Sequence, residues 1–219
     1  MTGAERAKRA VALLEEVYPQ ALCALEWKGE PWRLLVMGRL SAQCTDKRVN
    51  LVCEKLFGRF PTPEELAYGD LAEIEELVRP CGLYRTKALQ IKEACRMLVE
   101  EYHGVLPDDM EKLLAFPGVG RKIANLLISD VYGKPAIVAD THCIRIAGRL
   151  GFVKEGEKRP EKVEKTLSAL VNPEKQSDFC HRLVQFGRDT CTARSPKCHA
   201  CPLLSVCKSG KGQTGAPRR

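Results

Sequence analysis

The chain has 219 residues, with 35 basic against 28 acidic side chains and a formal net charge of +7. That length builds one large or two small hydrophobic cores, and the charge favours polyanionic partners. No apolar run is long enough to span a bilayer, and Glu5, Arg6, Lys8 and Arg9 occupy the start without an apolar signal segment behind them. A cytoplasmic location, associated with the nucleoid and without a signal peptide, is the expectation. Eleven cysteines in such a chain read as metal ligands or small buried hydrophobes rather than disulfides.

In chain order, Ala4 to Tyr18 is an amphipathic helix with Val11, Leu14 and Val17 on one face. Pro31 suits the first turn of a helix reaching about Leu40. Thr45 or Asp46 caps the next, through Val49, Val52 and Leu56 to Gly58. Thr62-Pro63-Glu64-Glu65 reads as a capping box with proline at the first helical position. Asp70 to Arg79 is a short helix stopped before Pro80, and a longer one runs from about Arg85 to His103 with Gly104 as its stop. A short helix near Asp109 to Ala115 follows, then Arg121 to Tyr132, Thr141 to Leu150, Glu161 to Val171 and Ser177 to Arg188. No stretch alternates with period two, so the fold class is all-α. The last residues, GQTGAPRR at 212–219, are expected to be disordered.

The stretch from Leu113 to Arg145 concentrates the chemistry. Phe116-Pro117-Gly118-Val119-Gly120 joins two apolar runs, the second striped by Ile123, Leu126, Leu127 and Val131. Two helices joined by Pro-Gly-Val-Gly make a tight hairpin. Its glycines allow positive φ and close approach of another backbone, and the second helix offers free N–H groups to an anion such as a DNA phosphate. Lys122 lies in the first turn of that helix. Asp140 follows a break from Gly133 to Pro135 and reads as the N-cap of the next helix. Taken singly, a helical lysine is most often only solvated and an N-cap aspartate only caps. A nucleotide P-loop fails on detail: Lys122 follows Arg121 rather than glycine and precedes Ile123 rather than Ser or Thr.

Near the C-terminus, Cys191, Cys198, Cys201 and Cys207 are separated by six, two and five residues. Four thiolates so close in sequence can wrap one ion or cluster, and a Cys₄ zinc site and an iron–sulfur cluster are both open on spacing alone. The intervening Arg194 and Lys197 could meet phosphates, against the plainer reading of a solvated loop. Cys44, Cys81 and Cys143 sit beside other motifs; small buried hydrophobes are the preferred reading. His142 and His181 have no ligand spacing and read as structural.

These segments together carry a resemblance. Leu-Ala-Phe-Pro-Gly-Val-Gly-Arg-Lys at 114–122 and Val-Ala-Asp-Thr-His at 138–142 resemble the helix-hairpin-helix and aspartate-bearing loop of the endonuclease III family of DNA glycosylases. Leu40-Ser41-Ala42-Gln43-Cys44-Thr45-Asp46 is similar to the family's LSAQ-x-TD stretch, and Cys81-Gly82-Leu83-Tyr84-Arg85-Thr86-Lys87-Ala88 to its GLY-x-x-KA stretch. The resemblance spans roughly residues 5 to 208. It implies a six-helix lobe at 23–133 with the hairpin, and a discontinuous lobe at 1–22 and 134–211 with a [4Fe–4S] loop on the four cysteines. A DNA-binding cleft would lie between them.

The implied activity is bifunctional: a DNA glycosylase and AP lyase that removes oxidised pyrimidines such as thymine glycol from double-stranded DNA in base excision repair, acting as a monomer. Lys122 would attack C1′ as a neutral amine, desolvated by the cleft, and form a Schiff base before β-elimination. Asp140 would help deprotonate it and stabilise the cationic sugar. Gln43 would bond the orphaned base and Leu83 would wedge into the stack. Gly118, Val119 and Gly120 would hold phosphate. The lysine separates the chain from the family's adenine-removing and mismatch-thymine branches. Cys44, Cys143 and Phe116 depart from residues usual in the family, which leaves the lesion range open. A non-enzymatic helix-hairpin-helix binding module would share the glycines and the charge without needing Lys122 and Asp140.

Overall fold

Caps decide where most of the helices begin. A computed structural model describes residues 1–20 and 22–210, and every regular element among them is helical. The expected tail at 212–219 lies outside the described residues. The helices are α1 Gly3–Val17, α2 Pro31–Leu40, α3 Asp46–Arg59, α4 Pro63–Tyr68, α5 Leu71–Val78, α6 Tyr84–Tyr102, α7 Met110–Ala115, α8 Arg121–Asp130, α9 Thr141–Leu150, α10 Pro160–Leu170 and α11 Gln176–Asp189. Thr45, Thr62, Asp70, Asp109 and Asp140 each accept from the backbone N–H three residues on, which satisfies one of the four unpaired donors of a helix start. Thr2 and Glu5 form a full capping box at α1 that the sequence reading does not include.

The differences from that reading are local. The buried residues of α1 are Ala7, Ala10 and Leu14, and Val17 is exposed. Small residues on that face let α1 lie close against α10 and α11. Short 3-10 turns at Arg79–Cys81, Pro173–Lys175 and Cys198–Ala200 were not legible as helix. A 3-10 turn needs only one hydrogen bond and leaves no periodic stripe. The long α6 stops on His103, which takes the left-handed conformation one residue before Gly104.

The chain divides into two compact units, residues 23–133 and residues 1–22 with 134 onward. In the first, α2 is buried around much of its circumference, through Trp32, Leu34, Leu35, Val36, Met37 and Leu40. It packs against α3, α6 and α8. Gly38 allows the closest approach: a Cβ there would come within 3.1 Å of Ile123 on α8. Trp32 meets Phe57 edge to face at 5.0 Å. In the second unit, α10 and α11 pack on α1, and α9 packs on both of them. The buried Arg182 of α11 donates from Nε to the Tyr18 carbonyl at 2.9 Å and pairs with Glu15 and Asp178. A charge so placed needs partners, and it has them. Among the described residues no helix is long and apolar enough to cross a membrane.

Candidate functional site

The hairpin is built as its residue types require. Phe116 is buried against Tyr102, with ring centroids 5.2 Å apart, and anchors the turn to α6. The Val119 N–H donates to the Phe116 carbonyl at 3.0 Å. Gly118 has φ +77°, and a Cβ there would lie 2.6 Å from Arg39 and 2.8 Å from Gln90 Oε1. Arg39 Nε itself donates to Gln90 Oε1, so the pair forms a fixed wall beneath the turn. Burial lowers the Arg39 pKa from its ordinary value. Gly120 is different: its φ is −105° and nothing stands within 4 Å of an added Cβ. Only Gly118 is therefore a glycine for conformational reasons; at Gly120 the missing side chain leaves open space.

Helix α8 starts on Gly120 with no side-chain cap. In its first turn the Ile123 N–H donates to the Gly120 carbonyl at 2.9 Å, and no side chain caps the start, where the helix dipole favours an anion. Lys122 is in that turn and is exposed. The expected desolvation is absent from the protein alone and would have to come from bound DNA. Behind Lys122, Ile123, Leu126 and Leu127 are buried as the stripe predicts, while Val131 is only half-buried and follows the end of the helix.

Gln43 and Leu83 occupy two loops of the same unit. Gln43 is exposed with φ 56°, and Leu83 is 61% exposed with φ 49°. Left-handed backbone at a non-glycine residue is uncommon, and here it turns a glutamine and a leucine outward. A core role for Leu83 is ruled out by its exposure. The half-buried Cys44 and the buried Cys81 lie beside each other, and burial, with Cys44 adding to it, pushes the Cys81 thiol up to about 12. At neutral pH that thiol is protonated and unreactive.

In the other unit Asp140 is half-buried at the N-cap of α9, its Oδ1 accepting from the Cys143 N–H at 2.7 Å. Cys143 is fully buried beside Cys180, whose thiol accepts from the Val138 N–H at 3.3 Å. The structure thus places Cys143 as a packing residue. His142 lies against Gly187, where an added Cβ would meet Nδ1 at 2.3 Å, and its Nδ1 is 3.1 Å from Arg145.

The four C-terminal cysteines line one pocket, whose remaining walls include Ile146, Leu150, Phe186 and Leu203. The Arg149 guanidinium donates to Cys191 Sγ at 3.2 Å and to the Thr192 carbonyl at 2.7 Å. The Gly210 N–H donates to Cys207 Sγ at 3.3 Å. Arg145 donates to the Cys191 and Gly187 carbonyls, both at 3.1 Å. N–H donors aimed at sulfur inside apolar walls fit thiolates bound to a cluster, since such bonds stabilise the anionic ligand. Burial raises the Cys201 thiol to about 11 and also raises Cys207, so bound metal must supply the drive to deprotonate them. Arg194 and Lys197 are exposed on the intervening loop. The sequence reading does not include Arg145 and Arg149. The available signal was two arginines four apart on a helix whose other inward positions are apolar.

A family model described as HhH-GPD superfamily base excision DNA repair protein matches residues 36–173, and one described as the iron–sulfur binding domain of endonuclease III matches residues 191–207. Endonuclease III of Synechocystis sp. is 42% identical over 208 residues, 94% of each chain. The chain belongs to the endonuclease III family. As a member of it, the chain carries a [4Fe–4S] cluster, and the zinc alternative is set aside. Two solved structures share its fold closely at 40% identity. A non-covalent endonuclease III–DNA complex has a TM-score of 0.92, covering 99% of this chain and 100% of the other. A trapped endonuclease III–DNA covalent intermediate has a TM-score of 0.91, covering 98% and 100%.

Proposed function

We propose that the chain is a bifunctional DNA glycosylase and AP lyase of base excision repair, acting on oxidised pyrimidines in double-stranded DNA, with Lys122 and Asp140 carrying the chemistry. The observation that supports this best is the exposed Lys122 amine in the first turn of α8, directly after the uncapped Gly120. A phosphate held by the amides of Gly118, Val119 and Gly120 would place a nucleotide beside that amine without reading its base. Likeness to an endonuclease III trapped in a covalent DNA intermediate supports the same chemistry.

In this mechanism Leu83 wedges into the stack and Gln43 bonds the orphaned base, which costs base stacking but is offset by binding. The Lys122 Nζ lone pair attacks C1′ and the C1′–N bond breaks, its electron pair leaving with the base. Asp140 stabilises the positive charge on the sugar and takes a proton from the lysine. The sugar ring then opens: the C1′–O4′ bond breaks as the nitrogen lone pair forms the C1′ iminium, and O4′ takes the proton that Asp140 received from the lysine. The iminium acidifies C2′, and loss of that proton expels the 3′ phosphate. Cys191, Cys198, Cys201 and Cys207 would hold the cluster, whose part would be structural, and Arg194 and Lys197 on their loop would meet phosphate.

The test is borohydride reduction with abasic-site duplex, followed by peptide mapping of the cross-link. Attachment of the sugar at Lys122 is the expected result. A cross-link at another residue, or none at all, overturns the assignment.

A further inference from the structure

Lys87 is wholly buried, and among the described residues its ammonium faces no carboxylate. Its Nζ donates to three backbone carbonyls: Leu40 at 2.9 Å, Ala42 at 2.7 Å and Cys81 at 2.8 Å. An ammonium has three donors, and all are used. Two of those carbonyls belong to the end of α2 and the turn after it, and the third closes the 3-10 turn Arg79–Cys81. Unpaired carbonyls at helix ends carry partial negative charge, which is what holds a buried cation that has no acid beside it.

The position of these carbonyls matters more than their number. Ala42 precedes Gln43, and Cys81 stands two residues before Leu83. Both downstream residues hold the left-handed backbone and point outward. Such conformations persist only where surrounding structure imposes them. Lys87 is the side chain that bonds to both loops at once, from the first turn of α6. We infer that Lys87 is a positioning residue for base extrusion: it fixes the spacing between Gln43 and Leu83, so that the two enter the duplex as one rigid unit. The inference rests on the roles proposed above for that pair. A merely structural lysine would stabilise this unit without any selective effect on the extrusion step.

The test compares Lys87→Met, Lys87→Gln, Leu83→Ala and the Lys87→Met/Leu83→Ala double variant. Single-turnover excision of thymine glycol from duplex is measured beside strand scission at a preformed abasic site, and amide hydrogen exchange is followed by mass spectrometry. Lys87→Met keeps the shape and leaves three buried carbonyls unpaired, so excision should fall at least about tenfold while abasic scission changes little. Lys87→Gln keeps two donors and should lose less; it carries the comparison if the methionine variant does not fold. Exchange should rise in both 41–45 and 81–84. The double variant should be little worse than the worse single one.

Equal loss on both substrates, multiplying effects, or unchanged exchange in either loop overturns the inference. If Leu83→Ala alone shows no selective loss of excision, the wedge reading fails, and the exchange data still decide whether Lys87 couples the loops.

Discussion

Arg149 donates a hydrogen bond to Cys191 Sγ at 3.2 Å while its other nitrogen holds the Ala193 carbonyl at 3.0 Å. One guanidinium therefore touches the sulfur of a proposed cluster ligand and the chain just beyond it. Outer partners of metal ligands typically contribute about 10–100-fold to affinity. Arg149→Met should release iron to a chelator faster by about that factor, with helical content near that of the parent at the start. An unchanged release rate would show that the contact is incidental.

The cluster itself is open to direct analysis. Anaerobically purified protein should contain four irons and four sulfides. Cys198→Ser should lose most of both and destabilise the loop from 191 to 207. Full iron content in that variant would remove Cys198 from the ligand set.

The two hairpin glycines should respond differently. Gly118→Ala forces a side chain onto φ +77° and against Arg39, so it should cost about 1–3 kcal/mol of stability, seen in denaturant melts. Gly120→Val meets no neighbour and should leave the melt nearly unchanged, while weakening all duplexes alike by blocking phosphate approach. Selective loss of one lesion type would mean that the hairpin reads bases.

Leu83→Ala removes an exposed wedge and no core packing. Base excision from intact duplex should slow about 10–100-fold, because stacking worth a few kcal/mol must still be broken. Cleavage at a preformed abasic site should slow much less. Equal slowing of both would remove the wedge role.

Lys122→Ala should abolish borohydride trapping and strand scission on every substrate. Asp140→Asn keeps an acceptor for the Cys143 N–H, now bonded at 2.7 Å, and asparagine caps about as well as aspartate. The fold should survive. Loss of the negative charge should reduce excision of thymine glycol by about 10²–10³ and leave substantial scission at abasic sites. Intact base removal with lost scission would refute this division of labour, and loss of helical signal would make Asp140 mainly structural.

Much of the helix map was legible because each boundary rests on a local rule. Thr62 and Asp140 were readable as caps and Thr45 as one of two candidates with Asp46, while Asp70 and Asp109, read as first helical residues, prove to be caps as well; each bonds the N–H that the rule names. The four cysteines were readable as one ligand set by spacing, and they do line one pocket. The two hairpin glycines read alike in the sequence, yet only one has a positive φ. What distinguishes them is Arg39, remote in sequence and fixed beside Gly118 by the packing of α2 and α6.

Sequence by itself determined the all-helical class, several of the caps, the grouping of four C-terminal cysteines and the placement of Lys122 and Asp140 at helix starts. Those follow from hydrogen bonds and spacings within a few residues of chain. Tertiary structure alone decided which cations are buried and what they hold. Lys87 looks like any surface lysine in a helix, and Arg149 like any arginine near a helix end. Burial removes water from Lys87 and leaves only carbonyls to satisfy its donors, while the half-buried Arg149 turns part of its guanidinium to carbonyls and a sulfur. Those partners lie 42 to 47 residues away for Arg149 with Cys191 and for Lys87 with Leu40, beyond the reach of any local pattern.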